Sequence, residues 1–203
     1  MALPKLDTLT YELTLPSTGE QLKFRPFLVK EQKALMIAQE SEDDKQIQDA
    51  FAQIIDACTF GEIDAYTIPM FDIEYIFLQL RGKSVGEKVQ INVLCPDDEK
   101  TRVDIEIDLK DVDIQMVEEH TNIIQLTDNI SVIMKYPTLS DMSGFGDAGE
   151  VTSVFTMMKR CINEIHDKET IYNKIDISEK DLDEFIDSMS TENFENFATF
   201  FET

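Results

Sequence analysis

The segment Met70–Leu80 constrains the fold most, because its apolar residues cover most of the circumference of a helix. Ile76 and Leu80 lie one turn apart, and further apolar side chains fill the positions between and before them. A helix that is apolar on nearly all sides is typically buried. Pro69 suits the first helical turn, and Gly82 is expected to end the helix in the left-handed conformation. The sequence therefore predicts one central core helix.

Length and charge limit the possible partners. A chain of 203 residues with 42% hydrophobic residues is long enough to bury one core, or a core with a smaller subdomain. Its net charge of -23 is spread along the chain, and such a surface repels nucleic acid and anionic membranes. We therefore expect no nucleic-acid or membrane partner. The charge favours basic protein partners, with solubility alone as the alternative.

Targeting signals and cysteine usage indicate an intracellular protein. The N-terminus lacks a basic region followed by an apolar run, and no stretch approaches the roughly 18 apolar residues of a spanning helix. Cys58, Cys95 and Cys161 are odd in number and far apart. This pattern is typical of buried free thiols in a reducing cytoplasm.

Changes of hydrophobic period along the chain predict an α+β fold. Alternating residues in 9–15 and 21–28 predict an N-terminal β-hairpin, and helical spacing follows up to the core helix. Alternation returns from 85 to 136 and predicts four short strands that make one small antiparallel sheet. A glycine-rich loop over 143–149 then leads into helices.

The predicted helices of the C-terminal third have three expected features. Helical spacing from Val151 to Ile165 predicts the first helix. Ser178 is expected to cap the second helix and Thr191 the last one. We therefore predict three regions: an N-terminal hairpin with helices over 1–85, a β subdomain over 86–137, and helices over 138–203 that pack back on the N-terminal helices.

Two groups of residues are candidate metal ligands. Cys95-Pro96-Asp97-Asp98 lies where a zinc knuckle would place its first cysteine pair, but structural zinc needs four ligands, and Asp98 replaces the second cysteine. Asp104, Glu106 and Asp108 could hold a hard cation, yet alternate positions on a flat strand do not converge as calcium ligands do. An ordinary turn and a solvated strand face are the favoured interpretations, so no metal or cofactor is expected.

Catalysis has little support in the sequence. His120 and His166 are the only histidines, and no serine or cysteine motif, phosphate-binding glycine loop or His-x-x-x-His pair accompanies them. We expect no catalytic residue. A stripe of phenylalanines near the C-terminus could dock on the protein's own core or on another protein, and it is the predicted partner-binding site: Phe194, Phe197, Phe200 and Phe201.

Two stretches carry a resemblance to a known family. The opening MALPKLDTLTYELTLPSTGEQLKFRPFLVKEQKALMIAQES and the segment Phe77–Glu87, FLQLRGKSVGE, resemble the baseplate hub assembly proteins of T-even-like contractile-tailed bacteriophages. Relatives can carry Cys-x-x-Cys at the turn occupied here by Cys95 and Asp98, and this departure puts an inherited metal site in doubt. The resemblance implies an assembly role in the host cytoplasm, as a minor hub component of the virion or as a chaperone released before completion.

Three hypotheses follow. The first is a non-enzymatic phage assembly factor that binds a baseplate hub protein, through exposed apolar residues of the C-terminal helices, with the acidic surface steering a basic partner. The second is an acidic DNA mimic that inhibits a host DNA-binding protein. This hypothesis explains the charge but not the alternating apolar strands. The third is a metal-dependent enzyme.

Overall fold

Contacts between residues divide the chain into two units, Met1–Ile114 and Gln115–Thr203. The computed structural model describes residues 6–98, 100–112, 114–115, 120–142 and 150–201. Helices and small antiparallel sheets occur in both units, so the predicted α+β class is confirmed. The predicted loop over 143–149 lies outside the described residues.

The first unit contains two hairpins and three helices. Its elements are β1 (Tyr11–Thr14), β2 (Gln21–Phe24), α1 (Val29–Glu40), α2 (Asp44–Cys58), α3 (Met70–Ser84), β3 (Lys88–Leu94), β4 (Arg102–Asp108) and a 3-10 turn, Leu109–Asp111. β1 pairs only with β2, and β3 only with β4, among the described strands. The predicted N-terminal hairpin is confirmed, with Gly19 in its connection at φ 72°.

The core of the first unit lies where β1–β2 meets the helices. Leu13 and Leu22 are paired across the hairpin and both are buried. The backbone N–H of Ser17 donates to Oδ1 of Asp72 at 3.1 Å, which ties the hairpin connection to α3. Asp72 is itself fully buried at the start of that helix. The hairpin is therefore held against the core by packing and by a buried carboxylate.

Helix α3 is the predicted core helix, but it ends later than expected. Ile73, Ile76 and Leu80 are buried, as the spacing predicts. The helix continues through Gly82 to Ser84, and Gly86 takes the positive φ of 131°. The prediction that Gly82 closes the helix was wrong. Glycine is tolerated inside a helix that tertiary packing holds.

The second unit packs helices on a four-stranded sheet. Its elements are β5 (Ile123–Thr127), β6 (Ile130–Met134), α4 (Glu150–Cys161), β7 (Ile162–His166), β8 (Ile171–Asn173), a 3-10 turn (Lys174–Asp176), α5 (Glu179–Asp187) and α6 (Thr191–Phe201). The strand order is β5-β6-β7-β8, antiparallel throughout. One cluster of buried side chains from the sheet and the three helices forms its core.

The expectation of one sheet over residues 86–137 was wrong. β3–β4 and β5–β6 belong to different sheets, because the free edge of β6 pairs with β7 instead. The spacing of Ile162 and Ile165 continues the apolar face of the preceding helix and predicts that they belong to it. The helix ends at Cys161, and the two isoleucines lie on a strand. The segment 86–137 is divided between the two units, and the predicted packing of 138–203 on the N-terminal helices stays a prediction.

The helix caps of the second unit confirm one prediction and correct another. The Oγ of Ser178 accepts the backbone N–H of Asp181 at 3.1 Å, as predicted for α5. At α6, the Oγ of Ser190, not that of Thr191, accepts the N–H of Asn193 at 3.2 Å. Both serine and threonine suit this position, so the sequence predicts the cap only to within one residue.

Candidate protein-binding surface

The phenylalanine stripe of α6 lies in the core of its own unit. Phe197 is 0% exposed and Phe200 is 5% exposed, while Phe194 and Phe201 pack at the margin of the same cluster. The ring of Phe200 stacks on Tyr136, with centroids 5.4 Å apart. Binding a partner through all four side chains would require α6 to leave this core. Their predicted partner-binding role stays a prediction.

The hairpin β3–β4 presents an apolar face that the first unit leaves uncovered. Its register places Val89 opposite Ile107, Ile91 opposite Ile105 and Val93 opposite Val103. Residues directly opposite each other in an antiparallel pair lie on the same face. The six side chains therefore form one continuous apolar stripe, which we call the hairpin face: Val89, Ile91, Val93, Val103, Ile105 and Ile107.

The exposure of this stripe is high for side chains of its type. Ile91 is 37% exposed, Ile105 38% and Val103 45%, and the other three members are only partly buried. By contrast, the central pair of β1–β2 is buried against helices of the same unit. Two hairpins of similar pattern thus have different environments. A two-stranded hairpin is only marginally stable without packing on one face, so the hairpin face favours an external partner.

The opposite face of the hairpin is polar and rich in acid. Glu106 contacts the Nζ of Lys88 at 2.5 Å, and Asp104 accepts a hydrogen bond from the Nδ2 of Asn92. The hydrogen bond that Lys88 donates to Glu106 raises the pKa of Lys88. The expected carboxylate face of β4 is present, and these two carboxylates are held by side chains of β3. Charged cross-strand pairs on this face keep it solvated and orient the apolar face to the other side.

The base of the hairpin is anchored to the end of α3. Glu87 contacts the Nζ of Lys83 at 2.8 Å and the Nζ of Lys110 at 2.6 Å. The Lys110 contact, followed by that of Lys83, lowers the pKa of Glu87. In addition, the backbone N–H of Leu109 donates to the carbonyl of Glu87 at 2.7 Å. The hairpin therefore leaves the helical part of the unit from a fixed point.

Asp98 stabilises the turn between β3 and β4, which the sequence analysis compares with a zinc knuckle. Its Oδ1 accepts the backbone N–H groups of Lys100 and Thr101 at 3.0 and 2.9 Å, and its Oδ2 accepts the hydroxyl of Thr101. These hydrogen bonds lower the pKa of Asp98 to about 2, and the bond from the Thr101 hydroxyl has the largest effect. The Cys95 N–H donates to the Thr101 carbonyl at 2.7 Å. The Asp98 carboxylate thus stabilises the turn through hydrogen bonds to Lys100 and Thr101.

The remaining sequence candidates are the two histidines and the three cysteines. His166 contacts Glu164 at 2.7 Å on β7, and His120 stacks on Tyr136 and Phe200. Cys58 and Cys161 are buried, whereas Cys95 is partly exposed. Burial raises the pKa of Cys58 to about 11 and that of Cys161 to about 12. The prediction of buried thiols therefore holds for Cys58 and Cys161 and is wrong for Cys95.

The described part of the chain contains no candidate metal site and no candidate membrane span. Over those residues, no group of three or more histidine, cysteine, aspartate or glutamate side chains is arranged to hold a metal ion. No helix among them has the length and apolar composition needed to cross a bilayer.

Alternation over 88–108 predicts the apolar and acidic faces of the hairpin, but it does not predict the exposure of the apolar face. Periodicity alone does not reveal whether a third element covers the apolar side.

Fold and surface together define an acidic α+β protein of two units with an uncovered apolar hairpin face. The particular family follows from sequence comparison. The family model described as T4 bacteriophage base plate protein matches residues 8–203, so the chain belongs to this family and is a T4-like phage baseplate protein. No curated protein and no solved structure matches it. The family predicted from the sequence is confirmed.

Proposed function

We propose that this protein is a non-enzymatic assembly factor that binds a hub subunit of the phage baseplate during virion morphogenesis. It acts in the host cytoplasm, either as a chaperone released before the baseplate is complete or as a minor hub component that remains in the tail. In both cases its work is binding, and it needs no cofactor.

The observation that carries this proposal is the uncovered hairpin face on a chain of net charge -23. Solubility does not explain an exposed apolar surface on a strongly charged protein, whereas binding to a partner does. Membership of the baseplate family supplies the partners among which such a surface would be used. The DNA-mimic hypothesis does not account for the alternating apolar strands, so the assembly role is preferred.

The proposal is tested by capturing the tagged chain from phage-infected cells and identifying bound proteins by mass spectrometry. A matched capture from uninfected cells removes host background, and the same search on purified virions locates the chain. We expect baseplate hub proteins to be enriched in the infected sample. Absence from virions would indicate the chaperone and presence would indicate the minor component. Enrichment of host nucleases or repressors, with no baseplate protein, would overturn the proposal in favour of the DNA mimic.

A further inference from the structure

We infer that the hairpin face is the surface that holds the partner, and that the partner presents an apolar segment bordered by lysine or arginine side chains. This inference rests on the proposed function and adds to it the binding surface and the chemistry of the occupant.

The first step is the continuity of the apolar stripe. Six β-branched side chains stand in three directly opposed pairs, so the stripe runs the length of both strands without a polar interruption. Its exposed centre is the Ile91–Ile105 pair. β-branched side chains in opposed pairs form a flat and stiff surface, and burying such a surface costs little side-chain entropy. This favours a partner with a complementary apolar face.

The negative charge around the hairpin face indicates which kind of partner binds there. Residues 87–111 contain eight acidic and four basic side chains, and the whole chain has a net charge of -23. Two copies of the chain would bring like charges together around the same face, which disfavours self-association. A partner with basic side chains around an apolar centre gains from the same field, in the rate of encounter above all. The occupant is therefore another protein rather than a second copy.

Both ends of the hairpin are held by contacts outside the hairpin face. Its base is fixed to α3 through Glu87, while the turn at Asp98 closes the far end. Both ends are thus held by hydrogen bonds and ion pairs that do not involve the apolar stripe. The hairpin face can be altered while these anchors stay intact. This separation makes a clean mutational test possible.

The test compares variants in a binding titration with the baseplate protein recovered by wild-type capture, both components purified. The double variant Ile91→Thr/Ile105→Thr keeps β-branched side chains and removes apolar surface from the centre of the face. Its matched control, Gln90→Ser/Asn92→Ser, changes two positions of the polar face on β3. We expect the first variant to weaken binding about tenfold or more and the control to change it less than about twofold.

A second variant addresses charge without altering shape. Asp104→Asn/Glu106→Gln should weaken binding severalfold at low ionic strength and should flatten its dependence on salt, since screening reduces exposed charge interactions. Circular dichroism and thermal unfolding are measured on every variant. A folded Ile91→Thr/Ile105→Thr protein that binds like the wild type would overturn the inference.

The outcomes separate this inference from the proposed function. If the wild type recovers no baseplate protein, the proposed function fails and the inference fails with it. If the wild type binds a hub protein and the hairpin variants bind equally well, only the inference fails. Sedimentation of the free chain adds one more outcome: a dimer that Ile91→Thr/Ile105→Thr dissociates would identify a second copy as the occupant and contradict the assignment of a basic partner.

Discussion

Replacing Phe197 by alanine should destabilise the protein strongly, because its ring is 0% exposed in the core of the second unit. Removing a fully buried phenylalanine side chain typically costs about 3–5 kcal/mol, from lost transfer free energy and the cavity left behind. For a chain of this length, each kcal/mol shifts the melting temperature by roughly 2–4 °C. We therefore expect a decrease of about 6–20 °C.

The assay is urea unfolding followed by circular dichroism, with a thermal scan as a second measure. Phe155→Ala is the matched control, since Phe155 is 36% exposed in the same unit and its ring lies 5.1 Å from that of Phe194. The partial exposure of Phe155 predicts a smaller loss, of about 1–2 kcal/mol. The two variants remove the same atoms, so their difference reports burial.

The sequence hypothesis predicts another result for the same variant. If the phenylalanine stripe were a partner-binding surface, Phe197→Ala would leave stability nearly intact and would weaken partner binding. A free energy of unfolding within about 1 kcal/mol of the wild type would refute the core assignment of Phe197. It would restore α6 as the leading candidate for the binding surface.

Three further predictions address other parts of the chain. Glu31→Gln should lower the free energy of unfolding by about 2 kcal/mol in urea titrations at neutral pH, because Glu31 is 4% exposed and pairs with Arg25 at 2.9 Å. Burial alone would raise the pKa of Glu31, but the hydrogen bonds from Arg25 and the Leu28 N–H outweigh burial and lower that pKa. The wild type should therefore keep this stability above pH 4.5 and lose it as the pH falls through the lowered pKa of Glu31. The Glu31→Gln variant should lack this pH dependence. Cys95 should react with a thiol reagent well before the other two cysteines in native protein at pH 8, and equal rates would contradict their burial. Protein purified without chelator should contain less than about a tenth of an equivalent of zinc by elemental analysis, and one equivalent would revive the metal hypothesis.

Local patterns predicted much of the fold. The N-terminal hairpin, α1 to α3, the strand pairs β3–β4 and β5–β6, and the helices α5 and α6 all follow from hydrophobic period and turn residues. One error arose where two periods overlap. Ile162 and Ile165 continue the helical spacing of α4, and only their pairing with β6 identifies them as strand residues. Long-range pairing of this kind is absent from a local sequence pattern.

The candidate surface was predictable in part. Alternation identified the apolar side chains of β3 and β4, and their opposition followed from the hairpin. Their exposure depends on whether a third element covers them, which a single sequence does not state. The reverse applies to Phe197, whose place at the end of the chain suggested a free surface while the fold buries it. Burial is a property of the whole unit rather than of a segment.

The most direct test of the account is amide hydrogen exchange of the chain, free and bound to the hub protein that capture identifies. We predict strong added protection at Lys88–Leu94 and Arg102–Asp108 in the complex, because a partner covering the hairpin face stabilises the pairing of both strands. Exchange in α6 should change little. Protection concentrated in Thr191–Phe201, with none in the hairpin, would contradict the account and place the partner on the phenylalanine stripe.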